Sequence, residues 1–223
     1  MNSGKVSRCP LRGKAEARVF PMSVTPLLPL GRPRCERCAL PARTCVCPLV
    51  VRVPNDVEVL VLQHPAEAAE AKNSTRLMRL SLARCRVVVG EVFEPDALLA
   101  LLDGDVSGNA LLYPADTVTG VAAIASDTKP HRLVVLDGTW RKSLRMLLAN
   151  PLLQTLPRWA IAPDEPARYG ALRRARLANQ LSTLEATCAA LARIESVPAR
   201  YAPLLAAFER FVEDRASRAR AQE

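Results

Sequence analysis

Four cysteines lie within 13 residues of this sequence, as Cys35-x2-Cys38-x6-Cys45-x-Cys47. Four thiolates this close together can complete one tetrahedral zinc site, and the basic, turn-rich segment around them has few apolar residues with which to fold alone. Disulfides and free or redox-active thiols are the alternatives. The odd total of seven cysteines and the lack of an export signal disfavour disulfides. The spacing therefore predicts a structural zinc site.

A second candidate for chemistry is the sequence Leu-Asp-Gly-Thr-Trp at 136–140, which follows an apolar run and precedes a helical pattern. Asp137 would lie at the carboxyl end of a strand, where open α/β sheets bind their ligands. Its carboxylate could act as a general base or orient a reactant, bind a cofactor, or cap the turn. Thr139 would cap the helix or contact a ligand. Trp140 would pack beside an adenine ring or anchor the helix to the core.

Strands that alternate with helices must position these residues. Apolar and β-branched runs predict strands at 57–63, 84–89, 109–113, 132–136 and 157–162. Amphipathic patterns predict helices at 74–82, 96–102, 140–149, 180–194 and 199–218. This alternation indicates an α/β fold with a mostly parallel sheet and flanking helices. Glycine-rich phosphate-binding motifs are absent from the sequence, which argues against a standard dinucleotide or P-loop site.

Charge and composition restrict the class of partner. The 223 residues include 31 Lys and Arg against 22 Asp and Glu, a net charge of +9, most of which lies in residues 1–48. Aromatic residues make up 4% of the chain, so folded RNA contacted through its backbone suits it better than a single strand stacked on aromatic rings. No 18-residue apolar run or secretory signal is found, and we expect a cytoplasmic protein. The expected organisation is a disordered basic tail at 1–30, a Cys-rich segment at 31–50, and an α/β domain at 51–223.

Several segments together resemble the DTW-domain family, which is named for its D-x-T-W motif. They are the cysteine cluster at 35–47, HPAEAAEAKNSTRLMRL at 64–80, LLYPAD at 111–116, DGTWRKSLRML at 137–147 and RYGALRRARLANQLSTLEA at 168–186. The resemblance implies an enzyme that moves the 3-amino-3-carboxypropyl group of S-adenosylmethionine to N3 of a tRNA uridine and releases 5′-methylthioadenosine. The family is similar to SPOUT-type methyltransferases, which implies a C-terminal trefoil knot with loops near 112–116, 137–140 and 162–183.

The motifs and the expected crevice together give three groups of candidate residues. Asp137 and Thr139 are the catalytic candidates. Cofactor-binding candidates are Leu112, Tyr113, Pro114, Ala115, Asp137, Gly138, Trp140, Leu181, Ser182, Thr183 and Glu185. Candidates for RNA binding are Lys72, Asn73, Ser74, Thr75, Arg76, Arg141, Lys142, Arg145, Arg168 and Arg173. Asn73 to Thr75 could instead cap a helix, and Glu185 could be an ordinary first-turn glutamate.

Two other functions are open at this point. A SPOUT-like methyltransferase would release S-adenosylhomocysteine instead of methylthioadenosine, and a zinc-bearing RNA-binding protein would catalyse nothing. The sequence leaves both monomer and homodimer open, and it does not select a particular tRNA uridine.

Overall fold

A five-stranded sheet forms the centre of the fold, and every strand pair in it is parallel. The computed structural model describes residues 34–70, 72–114, 129–161 and 181–220. The strands are β1 (Glu58–Gln63), β2 (Cys85–Val89), β3 (Asn109–Leu112), β4 (Arg132–Asp137) and β5 (Arg158–Trp159), in the order β2-β1-β4-β3-β5. The predicted α/β class is therefore confirmed, and in the described residues the sheet is wholly parallel.

Seven α-helices connect and cover these strands within the described residues. They are α1 (Pro65–Ala68), α2 (Thr75–Ser81), α3 (Pro95–Leu101), α4 (Trp140–Ala149), α5 (Pro151–Thr155), α6 (Thr183–Ile194) and α7 (Ala202–Arg220). Single 3₁₀ turns occupy Ala42–Thr44, Cys47–Leu49 and Pro198–Tyr201. The sequence did not predict α1 and α5, which are four and five residues long. The strand predicted at 157–162 is too long, because only Arg158–Trp159 form β5 among the described residues 157–161.

The two faces of the sheet carry separate hydrophobic cores because successive side chains of a strand point to opposite sides. On one face Val59, Val61, Leu133 and Val135 pack with α2, α6 and α7. On the other face the alternate residues Leu60, Leu62, Val134 and Leu136 pack with α3, α4 and α5. Both central strands are buried along almost their whole length, which is why their sequences are continuous apolar runs.

The Cys-rich segment packs into the first of these cores. Cys38, Leu40 and Val46 are buried in the same cluster as Ala207 and Phe211 of α7. Farther along α7, Arg215 donates to the carbonyl oxygen of Thr44 at 2.7 Å, and Arg218 donates to that of Arg43. The segment is thus joined to the last helix by apolar contacts and by charged hydrogen bonds.

Two further expectations concern the chain as a whole. None of the helices in the described ranges is long and apolar enough to cross a membrane. Of the loops expected to form the trefoil knot, residues 115–116 and 162–180 lie outside the described residues, so the knot stays a prediction. The same applies to the tail at 1–30.

Candidate functional site

The site is built at the carboxyl edge of the sheet around the carboxylate of Asp137. The parallel register pairs Gln63, the last residue of β1, with Asp137, the last residue of β4. The Gln63 side chain donates from Nε2 to Oδ2 of Asp137 at 2.8 Å. Both side chains are buried, with 6% and 4% of their surface exposed.

Two other segments donate to the same carboxylate. Asn73, just before α2, donates from Nδ2 to Oδ2 of Asp137 at 2.8 Å. Thr183, the first residue of α6, donates from Oγ1 to Oδ1 at 2.7 Å. Asn73 also accepts, through Oδ1, from the backbone N–H of Thr75 at 2.8 Å and from Gln63 at 3.2 Å. Asp137 therefore joins β1, β4, α6 and the residues that lead into α2.

The carboxylate is oriented but keeps some capacity to accept a further hydrogen bond. A carboxylate has about four lone-pair sites, and Oδ2 uses two of them while Oδ1 uses one. Gln63 and Asn73 approach through amide nitrogens, which can only donate. The described residues leave one position open on Oδ1, and an acceptor with a fixed orientation at the strand end is suited to take a proton from a ligand.

The turn after Asp137 is short and tightly packed. A Cβ on Gly138 would lie 3.1 Å from the Cβ of Lys142 and 3.4 Å from Oγ of Ser143, so a larger residue would crowd the first turn of α4. Thr139 is the N-cap of α4 through its backbone, and its carbonyl oxygen accepts from the N–H of Ser143 at 2.8 Å. Its side chain makes no capping hydrogen bond and is exposed. Thr139 therefore caps α4 through its backbone alone, without its hydroxyl.

The start of α6 carries the predicted Ser182, Thr183 and Glu185. Ser182 is the N-cap, and its hydroxyl accepts from the N–H of Glu185 at 3.2 Å. The Glu185 carboxylate in turn accepts from the N–H of Ser182 at 2.8 Å. This reciprocal capping box fixes the first turn, and it matches the first-turn interpretation of Glu185. Leu181, just before the cap, is 38% exposed.

An aromatic stack stands beside the network. Trp140 begins α4 and is 60% exposed, so the alternative in which it anchors the helix to the core is wrong. Its ring stacks on Tyr113, with centroids 5.1 Å apart and planes 13° apart. Burial raises the pKa of the Tyr113 phenol, and its buried hydroxyl has no hydrogen-bond partner among the described residues. Leu112 belongs to β3, and Pro114 is exposed.

Arg158 lies behind Tyr113 and was not predicted. Its guanidinium is 5.9 Å from the centroid of the Tyr113 ring, within the range of a cation–π contact. The side chain is 1% exposed and donates to the carbonyl oxygens of Leu153 and Leu156 at 2.9 and 3.0 Å. Burial lowers the pKa of Arg158, and the neighbouring Tyr113 partly offsets that effect.

Three of the basic residues predicted to bind RNA contact acceptors of the protein itself. Arg76 donates to the carbonyl oxygens of Ala68 and Glu70, at 2.7 and 3.3 Å, and so holds the loop between α1 and α2. Lys142 pairs with Glu67 at 2.8 Å, and Arg145 pairs with Glu91.

The remaining predicted RNA-binding residues differ in accessibility. Lys72 and Arg141 are exposed, whereas Ser74 and Thr75 are buried. Asn73 belongs to the Asp137 network described above. Arg168 and Arg173, and the cofactor candidate Ala115, lie outside the described residues.

His64 connects Asp137 with Glu91, the partner of Arg145. Its backbone N–H donates to the carbonyl oxygen of Asp137 at 2.9 Å, which continues the β1–β4 pairing. Its ring accepts at Nδ1 from the N–H of Ala66 at 3.1 Å, while Nε2 lies 3.3 Å from Glu91. Because both ring nitrogens are engaged, His64 serves here as the cap of α1 and as a partner of Glu91.

The four clustered cysteines come together as the spacing predicts. Their sulfur atoms lie within 4.8 Å of one another, with 3.6 Å between Cys35 and Cys47 and 3.7 Å between Cys38 and Cys45. A tetrahedral zinc ion with bonds of about 2.3 Å requires ligand sulfurs about 3.8 Å apart, so the cluster fits zinc.

The backbone around these cysteines also suits an anionic sulfur ligand. The backbone N–H groups of Cys38 and Arg37 lower the pKa of the Cys35 thiol to about 6. Burial, together with the other thiols, raises that of Cys47 to about 12. By contrast, Cys188 on α6 is buried in the core and lies outside this cluster.

Comparisons with known proteins agree on one family. The family model described as "DTW domain" matches residues 32–216. The chain is 30% identical over 172 residues to tRNA-uridine aminocarboxypropyltransferase 2 of Mus musculus, covering 74% of this chain and 57% of that protein. It is 30% identical over 176 residues to the protein of the same name from Drosophila melanogaster, covering 76% and 70%.

A more distant relative and the solved structures complete the comparison. The chain is 24% identical over 141 residues to tRNA-uridine aminocarboxypropyltransferase A of Arabidopsis thaliana, covering 53% of this chain and 52% of that protein. No solved structure matches this chain. The chain spans little more than half the length of the mouse relative.

Proposed function

Because this chain belongs to the DTW-domain family, we propose that it transfers the 3-amino-3-carboxypropyl group of S-adenosylmethionine to N3 of a tRNA uridine. Relatives named tRNA-uridine aminocarboxypropyltransferases, 30% identical over about three quarters of this chain, support the proposal. The observation that carries it is the buried carboxylate of Asp137, oriented by three side-chain donors at the edge where parallel sheets bind ligands.

The residues present fit the methionine-derived co-substrate. Its sulfonium, when bound, makes the adjacent methylene carbon of the aminocarboxypropyl group electrophilic. The buried hydroxyl of Tyr113, which has no partner in the part of the chain that the structure describes, offers a hydrogen bond to the nucleoside part of the co-substrate, next to Pro114. The capped N-terminus of α6, at Ser182 and Thr183, suits the carboxylate because helix N-termini favour anions.

Asp137 supplies the base in this proposal. N3 of uridine is a poor nucleophile while it carries its proton, so a group within hydrogen-bond reach must accept that proton. The position on Oδ1 of Asp137 to which no described residue donates accepts it, while Gln63, Asn73 and Thr183 prevent the carboxylate from rotating away. General-base catalysis of this kind contributes about 10²–10⁴-fold to a rate.

Exposed basic residues beside the network hold the RNA backbone. Lys72 precedes Asn73, and Arg141 follows Trp140, so both flank the Asp137 network along the chain. Lys142 and Arg145 contribute positive charge, although Glu67 and Glu91 pair with them. In this proposal Arg76 shapes the loop and does not bind phosphate.

The cysteine cluster holds one structural zinc ion in this proposal. The sulfur separations support it, as does the burial of Cys38 against α7. Elemental analysis of the purified chain should find about one zinc per chain, and a Cys35→Ser/Cys38→Ser variant should lose it. Cys85→Ser is the matched control, since Cys85 lies in β2, outside the cluster. A metal-free wild type that is folded and active would refute the assignment.

The central experiment incubates the protein with tRNA and S-adenosylmethionine and maps the modified nucleosides by mass spectrometry. We expect a uridine that is heavier by one aminocarboxypropyl group, together with methylthioadenosine. A methylated base with S-adenosylhomocysteine would instead identify a methyltransferase. Bound but unmodified tRNA across a full set of substrate tRNAs would identify an RNA-binding protein.

A further inference from the structure

Trp140 lies three residues after Asp137, and 60% of its surface is exposed. Tyr113 covers one face of the indole, so the exposed surface includes the opposite face, and the Arg158 guanidinium lies over the Tyr113 ring. The three side chains form a column from a buried cation, 1% exposed, to an indole that is 60% exposed. The centroid distance of 5.1 Å between the two rings lies within the range of favourable offset stacking.

Each of the three residues of this column is attached to an ordered part of the fold. Arg158 is bound to the carbonyl oxygens of Leu153 and Leu156 at the end of α5. Tyr113 directly follows β3, and Trp140 is fixed as the first residue of α4. A flat apolar surface that is already ordered loses little conformational entropy when another ring stacks on it.

We infer that the open face of Trp140 stacks on the pyrimidine ring of the target uridine in the RNA. This inference rests on the proposed function. N3 lies on the Watson–Crick edge of uridine, so a base that reacts beside Asp137 must first leave its pairing and stacking partners. Trp140 is three residues after Asp137 and replaces the lost stacking interaction. The exposed guanidinium of Arg141 lies next in sequence, where it meets the adjoining phosphate.

The adenine ring of the co-substrate is the other candidate for this face. Small ligands are generally enclosed over about 70–90% of their surface, whereas the indole of Trp140 is mostly exposed. RNA, which approaches from solvent, matches an exposed platform better. One platform also suits one extruded base, in a chain with few aromatic residues for a longer single strand.

Tryptophan fluorescence tests the inference directly. The chain has two tryptophans, and Trp159 is buried, so a Trp159→Phe variant reports on Trp140 alone. We expect tRNA to quench its emission, while S-adenosylmethionine or methylthioadenosine alone does not. A perfect RNA duplex of equal charge should bind without quenching, because its bases remain stacked on one another.

Binding measurements on variants of the otherwise unaltered chain give a second readout. Trp140→Ala should raise the Kd for tRNA about 5- to 150-fold, the usual loss for one base–aromatic stack, and leave the Kd for S-adenosylmethionine unchanged. Trp140→Phe should restore most of the affinity. Leu148→Ala, on an exposed position of the same helix, is the matched control and should behave as wild type.

Three results would overturn the inference. Quenching by S-adenosylmethionine or methylthioadenosine alone, or a Trp140→Ala variant that loses affinity only for S-adenosylmethionine, would assign the face to adenine. Wild-type affinity of Trp140→Ala for tRNA would leave Trp140 without a stacking role. Failure of the proposed function is seen separately, as absence of modified uridine from a wild-type protein that still shows the fluorescence response.

Discussion

Replacing Asp137 in two ways separates its role in folding from its role in chemistry. Asp137→Asn keeps the shape of the side chain and removes its charge. The new amide can place its oxygen where Oδ2 stood, which preserves the bonds from Gln63 and Asn73. Its NH₂ group then faces the hydroxyl of Thr183, which can accept as well as donate. We expect this variant to lose no more than about 1 kcal/mol of unfolding free energy.

Asp137→Ala removes the acceptor for all three donors. Gln63 is 6% exposed, so its unpaired amide hydrogen costs about 1–3 kcal/mol. Asn73 and Thr183 are only half-buried and can turn to water, at about 0.5–1 kcal/mol each. The sum is about 2–5 kcal/mol. For a domain of this size that corresponds to a fall in Tm of about 4–20 °C.

The assay compares thermal melting, tRNA binding and single-turnover transfer for the wild type and both variants. If Asp137 is the base, both variants lose about 10²–10⁴-fold in the transfer rate, although only Asp137→Ala melts early. Thr183→Val is the matched control, since it removes one donor to Asp137 and keeps the carboxylate. We expect it to transfer within about tenfold of wild type, because the base remains.

Two results would refute this reasoning. Transfer by Asp137→Asn within tenfold of wild type would show that the carboxylate only positions its neighbours. A Tm of Asp137→Asn as low as that of Asp137→Ala would show that the amide does not restore the network.

Three further predictions concern other parts of the molecule. A chelator that strips the metal should lower the Tm by about 10 °C or more, since even 5 kcal/mol of the zinc-binding free energy is worth that much; an unchanged melt would contradict the zinc assignment. Burial and the hydrogen bond to Glu195 raise the pKa of Tyr201, so its contribution to stability is complete below about pH 10 and is lost as the pH rises further. Tyr201→Phe should flatten that alkaline decline in urea titrations, and an unaltered slope would exclude Tyr201 as its source. Arg141→Ala should reduce the salt slope of tRNA binding by about one without changing the Tm, whereas Arg76→Ala should lower the Tm and leave the slope as it was; the reverse pattern would exchange their roles.

The sheet could be predicted from the sequence because its two central strands, β1 and β4, are buried on both sides. The apolar runs of β1 and β4 are continuous, and such runs bounded by polar residues are a strong local signal. The helices α1 and α5 are too short for a helical period to emerge. Their one local mark is a proline at the first position, Pro65 and Pro151.

The site could be predicted only in part. The position of Asp137 follows from its place at a strand end. Its three donors are 74, 64 and 46 residues away in the sequence, and no local spacing brings them together. Arg76 is a second example. Its charge suggests a phosphate contact, whereas its hydrogen bonds to two carbonyl oxygens of its own loop could not be foreseen from the sequence.

The way α6 is attached to the sheet connects distant parts of the fold with the site. At its N-terminal end Thr183 binds Asp137, where β4 ends. At its other end Glu195 accepts from the N–H groups of Asp56 and Val57, just before β1, at 2.8 and 2.9 Å. Twelve helical residues span about 18 Å, close to the roughly 20 Å of a six-residue strand.

The helix α6 is therefore fixed at both edges of the sheet, antiparallel to the strands. The same helix shares its buried face with α7, and α7 packs on the Cys-rich segment. We therefore expect that loosening the Cys-rich segment weakens the packing of α7 on α6, and with it the restraint on Thr183. In this arrangement the Cys-rich segment is connected with Asp137 through two helices, α7 and α6.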